Sequence, residues 1–228
     1  MWCLYKPTSA AAQRASSKSA SQPGDPYVVA LVRAREGAPA AAGAPKGTRV
    51  RILCSSLNHR DNWMTRGMYP NIREGVCLGS DGCGIAVDGR LKGKRVVLDP
   101  SIAWGPSPDA PKGVLEILGM PRDGTFQSEI VVPDENVHEA PEHLSDAEAA
   151  ALPLAGVTAY RALVTKGKVK KGDVVLVTGI GGGVAIFAVQ FAVALGAEVY
   201  VTSSSQAKID RAVKTLGAQG GALYTQDK

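Results

Sequence analysis

Cysteine, aromatic residues and long apolar runs are all scarce in this chain. Its 228 residues hold four cysteines, Cys3, Cys54, Cys77 and Cys83, no two of them spaced C-x-x-C. That supports neither a disulfide framework nor a zinc ribbon and fits reduced thiols. No apolar stretch reaches the roughly 20 residues of a membrane span, so no membrane helix is expected. A block of like charge is missing too: 26 basic and 21 acidic residues leave a scattered +5, a poor match to a nucleic-acid backbone. What remains is a chain with 45% hydrophobic residues, enough to give one large or two modest domains a real core.

Acidic residues are absent from Met1 to Gly24, which carries Lys6, Arg14 and Lys18 among serines and alanines. Residues 1–24 are therefore expected to be a disordered or targeting tail. The expected compartment is the cytoplasm, with the mitochondrion as the alternative that an acid-free leader suggests.

Strand-forming segments then follow one another: Tyr27–Val32, Thr48–Cys54, Ile85–Val87, Arg95–Leu98 and Glu129–Val132, separated by Gly- and Pro-rich turns. The pattern changes at Ser145, where Ser145-x-x-Glu148 forms a capping box ahead of an alanine-rich helix expected to run to about Lys166. Beyond it the order is strand (Val174–Val177), glycine turn, helix (about 182–195), strand (Glu198–Thr202), helix (about 206–216) and a short strand near Ala222. The fold class is thus α/β with a β-rich N-terminal part. The domain division is expected at residues 25–141 and 142–228, the second being a βαβαβ half of a dinucleotide-binding sheet.

The glycine turn carries the first functional expectation. Gly179, Ile180, Gly181, Gly182, Gly183 and Val184 connect an all-apolar strand to a helix. Glycines let the backbone turn tightly, and free N–H groups at the helix start offer a partial positive charge to a pyrophosphate. Val184 stands where a strict G-x-G-x-x-G would need its last glycine, so the strand–turn–helix context carries the reading. The second strand ends in Thr202-Ser203-Ser204-Ser205 with Lys208 beyond, where NAD-preferring sites usually carry a carboxylate. Ser203, Ser204 and Lys208 are therefore expected to bind a 2′-phosphate, favouring NADP(H) over NAD(H). The alternative is that a serine merely caps the next helix while Lys208 is solvated.

Leu57-Asn58-His59-Arg60-Asp61, Gly67-Met68-Tyr69-Pro70, Leu78-Gly79-Ser80-Asp81-Gly82 and the run from Leu152 to Tyr160 resemble the medium-chain dehydrogenase/reductase superfamily. The likeness is nearest to its zinc-type alcohol-dehydrogenase-like and quinone oxidoreductase branches. It implies a GroES-like domain followed by an incomplete Rossmann domain, and adds Thr158 to the cofactor-binding residues. Positions that match the catalytic zinc ligands of such enzymes are Asn58, Ser80 and Leu154, and no cysteine lies between Asp88 and Pro141 for a structural zinc. An amide, a hydroxyl and an isobutyl group do not make a zinc site, so no metal is expected.

Without a metal, hydride transfer relies on hydrogen-bond donors near the developing oxyanion, and Asn58, His59, Asp61 and Tyr69 are the candidate catalytic residues, with Arg60 and Trp63 as further donors. His59 is open to three roles: pyrophosphate contact, proton shuttle or loop anchor. Asp61 and Asp81 read more readily as orienters of the loop. The implied activity is zinc-independent, NADPH-dependent reduction of a small quinone-like or α,β-unsaturated carbonyl substrate. The alternatives are a truncated, non-catalytic dinucleotide-binding protein and, further off, a zinc-dependent alcohol dehydrogenase. The resemblance further implies that the sheet stops near its third strand, leaving Val174–Val177 as an apolar edge and the usual dimer strand missing, so that homodimerisation is possible but unsupported.

Overall fold

Successive residues of Arg95–Leu98 show how the first sheet is built. Val96 and Leu98 enter one apolar cluster with Val50, Ile130, Val132 and Val137, while Val97 enters another with Cys83, Ala140, Ala149 and Ala150. Alternation along a strand sends neighbours to opposite faces, so a continuous apolar run is stable only where both faces are covered. The computed structural model describes residues 2–5, 28–31 and 47–225. They fall into two compact units, Met1–Pro153 and Leu154–Lys228.

In the first unit, β1 (Trp2–Tyr5) pairs antiparallel with β2 (Val28–Leu31). Part of the expected tail is thus a paired strand, and the rest of residues 1–24 lies outside the described residues. The main elements follow as β3 (Thr48–Ser56), α1 (His59–Thr65), β4 (Asp81–Ala86), β5 (Arg95–Leu98), the short β6 (Ser101–Ile102), β7 (Glu116–Leu118) and β8 (Pro121–Arg122), then β9 (Glu129–Val132) and β10 (Val137–Glu139). Five of these strands form an antiparallel sheet ordered β10-β5-β4-β3-β9. Strand β4 begins four residues earlier than its β-branched run indicates, because Gly82 and Gly84 conceal it. Gly84 is there for space: a Cβ would lie 2.3 Å from the Arg51 carbonyl oxygen on β3.

The capping box forms as expected: the Glu148 N–H donates to Ser145 Oγ at 3.3 Å, and the Ser145 N–H donates to Glu148 Oε2 at 2.9 Å. Hydrogen bonds from Ser145 hold the Glu148 carboxyl below its usual range. The single long helix does not form. Helix α2 (Asp146–Ala151) ends before Pro153, whose ring takes the place of an N–H and would meet the carbonyl one turn back. A second helix, α3 (Pro153–Tyr160), starts there and runs into a π-helical turn over Arg161–Lys166. Because Ala149 and Ala150 of α2 seal against Cys83, Val97 and Ala140, this helix belongs to the first unit. By compactness the chain divides at Pro153/Leu154, where the sequence expectation put the boundary at 141/142.

The second unit is the expected βαβαβ succession: β11 (Val174–Val177), α4 (Gly183–Ala194), β12 (Glu198–Ser203), α5 (Gln206–Arg211) with a π turn over Ala212–Leu216, and β13 (Gly220–Leu223). The strands are parallel in the order β11-β12-β13. Val177, Val199 and Val201 pack against Val189 and Ala192 of α4 and Ile209 of α5, which gives this unit its core. Among the described residues no helix is long and apolar enough to cross a membrane.

Candidate functional site

Within the first unit, the turn from β3 into α1 opens on a cavity of about 860 Å³ whose wall includes Leu57, Asn58, Asp61, Leu78, Thr125 and Phe126. Asn58 holds the turn at both ends of its own residue. Its N–H donates to Asp61 Oδ2 at 2.8 Å, and its Nδ2 donates to Asp81 Oδ2 at 2.8 Å. Asp61 is thus the returning carboxylate at the third position of α1, where negative charge also suits the helix dipole. Burial nevertheless pushes its pKa up, against the lowering effects of the Asn58 N–H, the Arg60 charge and the Gly79 N–H. Its second oxygen, Oδ1, is buried without a hydrogen-bond partner.

Arg60, one residue before Asp61, is spent on scaffolding. Its Nη1 donates to Ser80 Oγ and, at 2.7 Å, to the Leu118 carbonyl; its Nη2 donates to the Met120 carbonyl at 3.1 Å. Its Nε donates to Tyr69 Oη at 3.1 Å, and the guanidinium carbon lies 5.0 Å from the centre of the Tyr69 ring. Tyr69 also packs against the cluster of Met64, Leu78 and Met120. His59 is exposed and lies with its ring centre 5.3 Å from that of Trp63. Of the four candidate catalytic residues, Asn58 and Asp61 line the cavity, whereas His59 and Tyr69 are not among its lining. Sequence reasoning missed Ser55, Thr125, Phe126 and Gln127, which also line it. Thr125 is 1% exposed, donates to the Asp81 carbonyl at 2.7 Å and accepts at its own carbonyl from Ser55 Oγ at 2.8 Å. Nothing in the local sequence marks this segment, because its place is set by pairing with residues far away in the chain.

The residues at the zinc-ligand positions do not fit a metal. Ser80 Oγ accepts from the Arg60 guanidinium and donates to the Leu118 carbonyl at 2.9 Å, so it faces a fixed cation instead of offering a lone pair to one. Asn58 points its amide nitrogen at Asp81, and the Leu154 side chain has no ligating atom. Among the described residues no three His, Cys, Asp or Glu side chains come together to hold an ion.

Within the second unit, the glycine turn is tied to β12 by a residue that sequence reasoning passed over. Thr202 accepts from the Gly179 N–H at its Oγ1 (3.2 Å) and from the Ile180 N–H at its carbonyl (2.8 Å). Ile180 is 4% exposed and serves the core, so only its backbone can face a ligand. Gly181, at φ +119°, has a conformation that side chains rarely adopt, and a Cβ there would stand 3.3 Å from Lys208 Nζ. The Lys208 ammonium is therefore folded against the turn. Gly182 caps α4, and the N–H groups of Gly183 and Val184 in its exposed first turn have no partner within the helix.

The serines divide. Ser204 is exposed, whereas Ser203 is 3% exposed and its Oγ accepts from the Ser205 N–H at 3.1 Å, which shapes the turn from inside. Ser205 is the N-cap residue of α5. Thr158 is exposed on α3 and donates to the Leu154 carbonyl one turn back at 2.6 Å. The structure thus gathers Gly179, Gly181–Val184 and Lys208 and withdraws Ser203 and the Ile180 side chain.

Residues 44–142 match the alcohol dehydrogenase GroES-like domain family. The zinc-type alcohol dehydrogenase-like protein YogA of Leptosphaeria maculans is 40% identical over 205 residues, covering 82% of this chain and 56% of that protein. Among solved structures, an NAD-dependent alcohol dehydrogenase superposes with a TM-score of 0.73 at 35% identity, over 88% of this chain and 60% of that one. The quinone oxidoreductase of Pseudomonas syringae pv. tomato DC3000 gives a TM-score of 0.68 at 28% identity, over 90% of this chain and 57% of that one. The chain thus spans between half and two thirds of each of these proteins. A GroES-like first unit and a Rossmann-type βαβαβ second unit, joined in this order and matched by these relatives, place the chain in the medium-chain dehydrogenase/reductase superfamily.

Proposed function

We propose that this chain is an oxidoreductase that binds NADPH in preference to NADH and reduces quinone-like or α,β-unsaturated carbonyl substrates without a metal. The observation that carries this reading is the arrangement at the glycine turn, where Lys208 lies against Gly181 and the residue that follows β12 is the exposed Ser204 in place of a carboxylate. An ammonium and an exposed Ser204 suit a 2′-phosphate, and hydrogen bonds to charged groups are each worth about 1.5–3 kcal/mol. The free N–H groups at the start of α4 suit a pyrophosphate.

A bound nicotinamide would supply the hydride. The chain's own part is to hold the turn, to donate to developing negative charge and to manage a proton. Asn58, fixed by Asp81, keeps one amide hydrogen for a ligand in the cavity. Asp61 Oδ1 is where a proton can be held, since burial favours the neutral carboxyl. Electron-poor substrates need less polarisation than simple carbonyls, which suits a site whose metal-ligand positions hold Asn58, Ser80 and Leu154.

Titration of the chain with both nucleotides, followed by turnover of a model quinone and a model enone, tests the proposal. NADPH is expected to bind at least about tenfold tighter than NADH, a difference of about 1.4 kcal/mol, and Lys208→Ala is expected to erase it. Turnover should be indifferent to chelators. Tighter NADH binding, or turnover that requires zinc, overturns the reading, and saturable binding without turnover assigns a non-catalytic, nucleotide-binding role.

A further inference from the structure

Cys54 on β3 and Cys83 on β4 stand directly opposite each other in the first sheet. Opposed residues of antiparallel strands share a face, with Cα atoms about 4.5–5.5 Å apart, and a disulfide spans Cα separations of about 4.4–6.8 Å. Both are free thiols, and both contribute to the patch formed with Val97, Ala140, Ala149 and Ala150. A bulge between Ile52 and Cys54 interrupts the ladder beside them, which gives β3 local freedom to bring its sulfur toward Cys83. The two thiols differ in access: Cys83 is 0% exposed, while Cys54 is half-buried.

We infer that Cys54 and Cys83 form a reversible cross-strand disulfide, with a hydroperoxide as the oxidant and Cys54 as the first sulfur to react. The Cys54 thiolate attacks a peroxide oxygen, the O–O bond breaks, and the departing hydroxide takes a proton and leaves as water, or as an alcohol from an organic peroxide. Cys54 is then a sulfenic acid. Cys83 attacks that sulfur, the S–O bond breaks, the S–S bond forms, and the hydroxyl departs as water with the Cys83 proton. Two thiols have lost two electrons and two protons, and the peroxide has been reduced. Burial pushes the Cys83 thiol up and shields it from the oxidant, so Cys83 is not the sulfur that reacts first. The link would fasten β3 to β4 just before Ser55, Leu57 and Asn58, which line the cavity.

The test treats the full chain with hydrogen peroxide, alkylates remaining thiols and maps the peptides by mass spectrometry. A Cys54–Cys83 peptide lighter by two hydrogens and cleaved by dithiothreitol is expected, together with a rise in Tm of the oxidised protein over the reduced one. In Cys83→Ala the reaction should stop at a Cys54 sulfenic acid that dimedone captures, and in Cys54→Ser both products should be lost. The wild-type map stands alone should a variant fail to fold. Progress of wild-type Cys54 to the sulfinic acid, a link from Cys54 to Cys3 or to a second chain, or no reaction at Cys54 in a folded protein overturns the inference.

Discussion

Leu98 and Leu176 each lie in an apolar run within a strand, Val96-Val-Leu98 and Val174-Val-Leu-Val177, yet the two units treat them oppositely. Leu98 is 0% exposed, whereas Leu176 is 62% and its neighbour Val174 69% exposed. In the first unit α2 covers one face of the sheet and the cluster around Val50 and Val132 covers the other. In the second, α4 and α5 cover one face of the parallel sheet, and Val174, Leu176 and the 40% exposed Tyr200 lie on the other. An apolar run states what a strand is suited to, and the neighbours decide what is delivered. The largest expected effect comes from this contrast. Leu98→Ala should cost about 2–5 kcal/mol in urea unfolding, and Leu176→Ala should stay within about 0.5 kcal/mol. A comparable cost at both positions would show that Leu176 is covered in solution and would dissolve the contrast.

The units also differ in how their functional groups are held. Around Asn58 the polar side chains are bound to one another, whereas the glycine turn presents backbone N–H groups and Lys208. Gly181→Ala, strained by its positive φ and directed at Lys208, should weaken NADPH and NADH alike by about tenfold or more, near 1.4 kcal/mol. Lys208→Ala should weaken NADPH selectively. Equal losses for both nucleotides in Lys208→Ala would move the ammonium from the 2′-phosphate to the pyrophosphate.

Local periodicity made the second unit legible almost element by element, since each strand and helix there is a contiguous run with its own punctuation. It made the first unit less so. Strand β4 was half concealed by Gly82 and Gly84, whose small size answers to Arg51 and to Thr125 across the sheet. Pro153 was visible, yet the alanine-rich run around it reads as one helix until α2 is seen packed on Cys83. At the site, Asn58 and Asp61 could be named from the sequence because they stand within one helical turn of each other. The commitment of Arg60 to Ser80, Leu118 and Met120 could not, because those partners are 20, 58 and 60 residues away.

A smaller effect sharpens where the units divide. Ser145→Ala removes the acceptor for the Glu148 N–H and should cost about 1 kcal/mol. Since α2 packs on the first sheet, the shift should appear in the same unfolding transition that Leu98→Ala moves. Its appearance instead with Val201→Ala, a core residue of the second unit, would return α2 to the second unit.

The least change is expected from Asp61→Asn, and its value is in its sign. Burial is the main cause that raises the Asp61 pKa above 3.8, so the folded state holds its proton more firmly than the unfolded chain. Below the unfolded value both states are protonated and the full contribution of the neutral carboxyl is present. As pH rises through the folded pKa, the unfolded state has already ionised and the folded state must bury a charge, so that contribution is lost. The amide of the variant cannot titrate, and its carbonyl can still accept from the Asn58 N–H. Unfolding free energies of wild type minus variant, measured from about pH 4 toward neutrality, should therefore fall and then level. A difference that rises with pH would mean that the Asn58 N–H and the Arg60 charge outweigh burial, leaving Asp61 ionised as a fixed cap and removing it as a place to hold a proton.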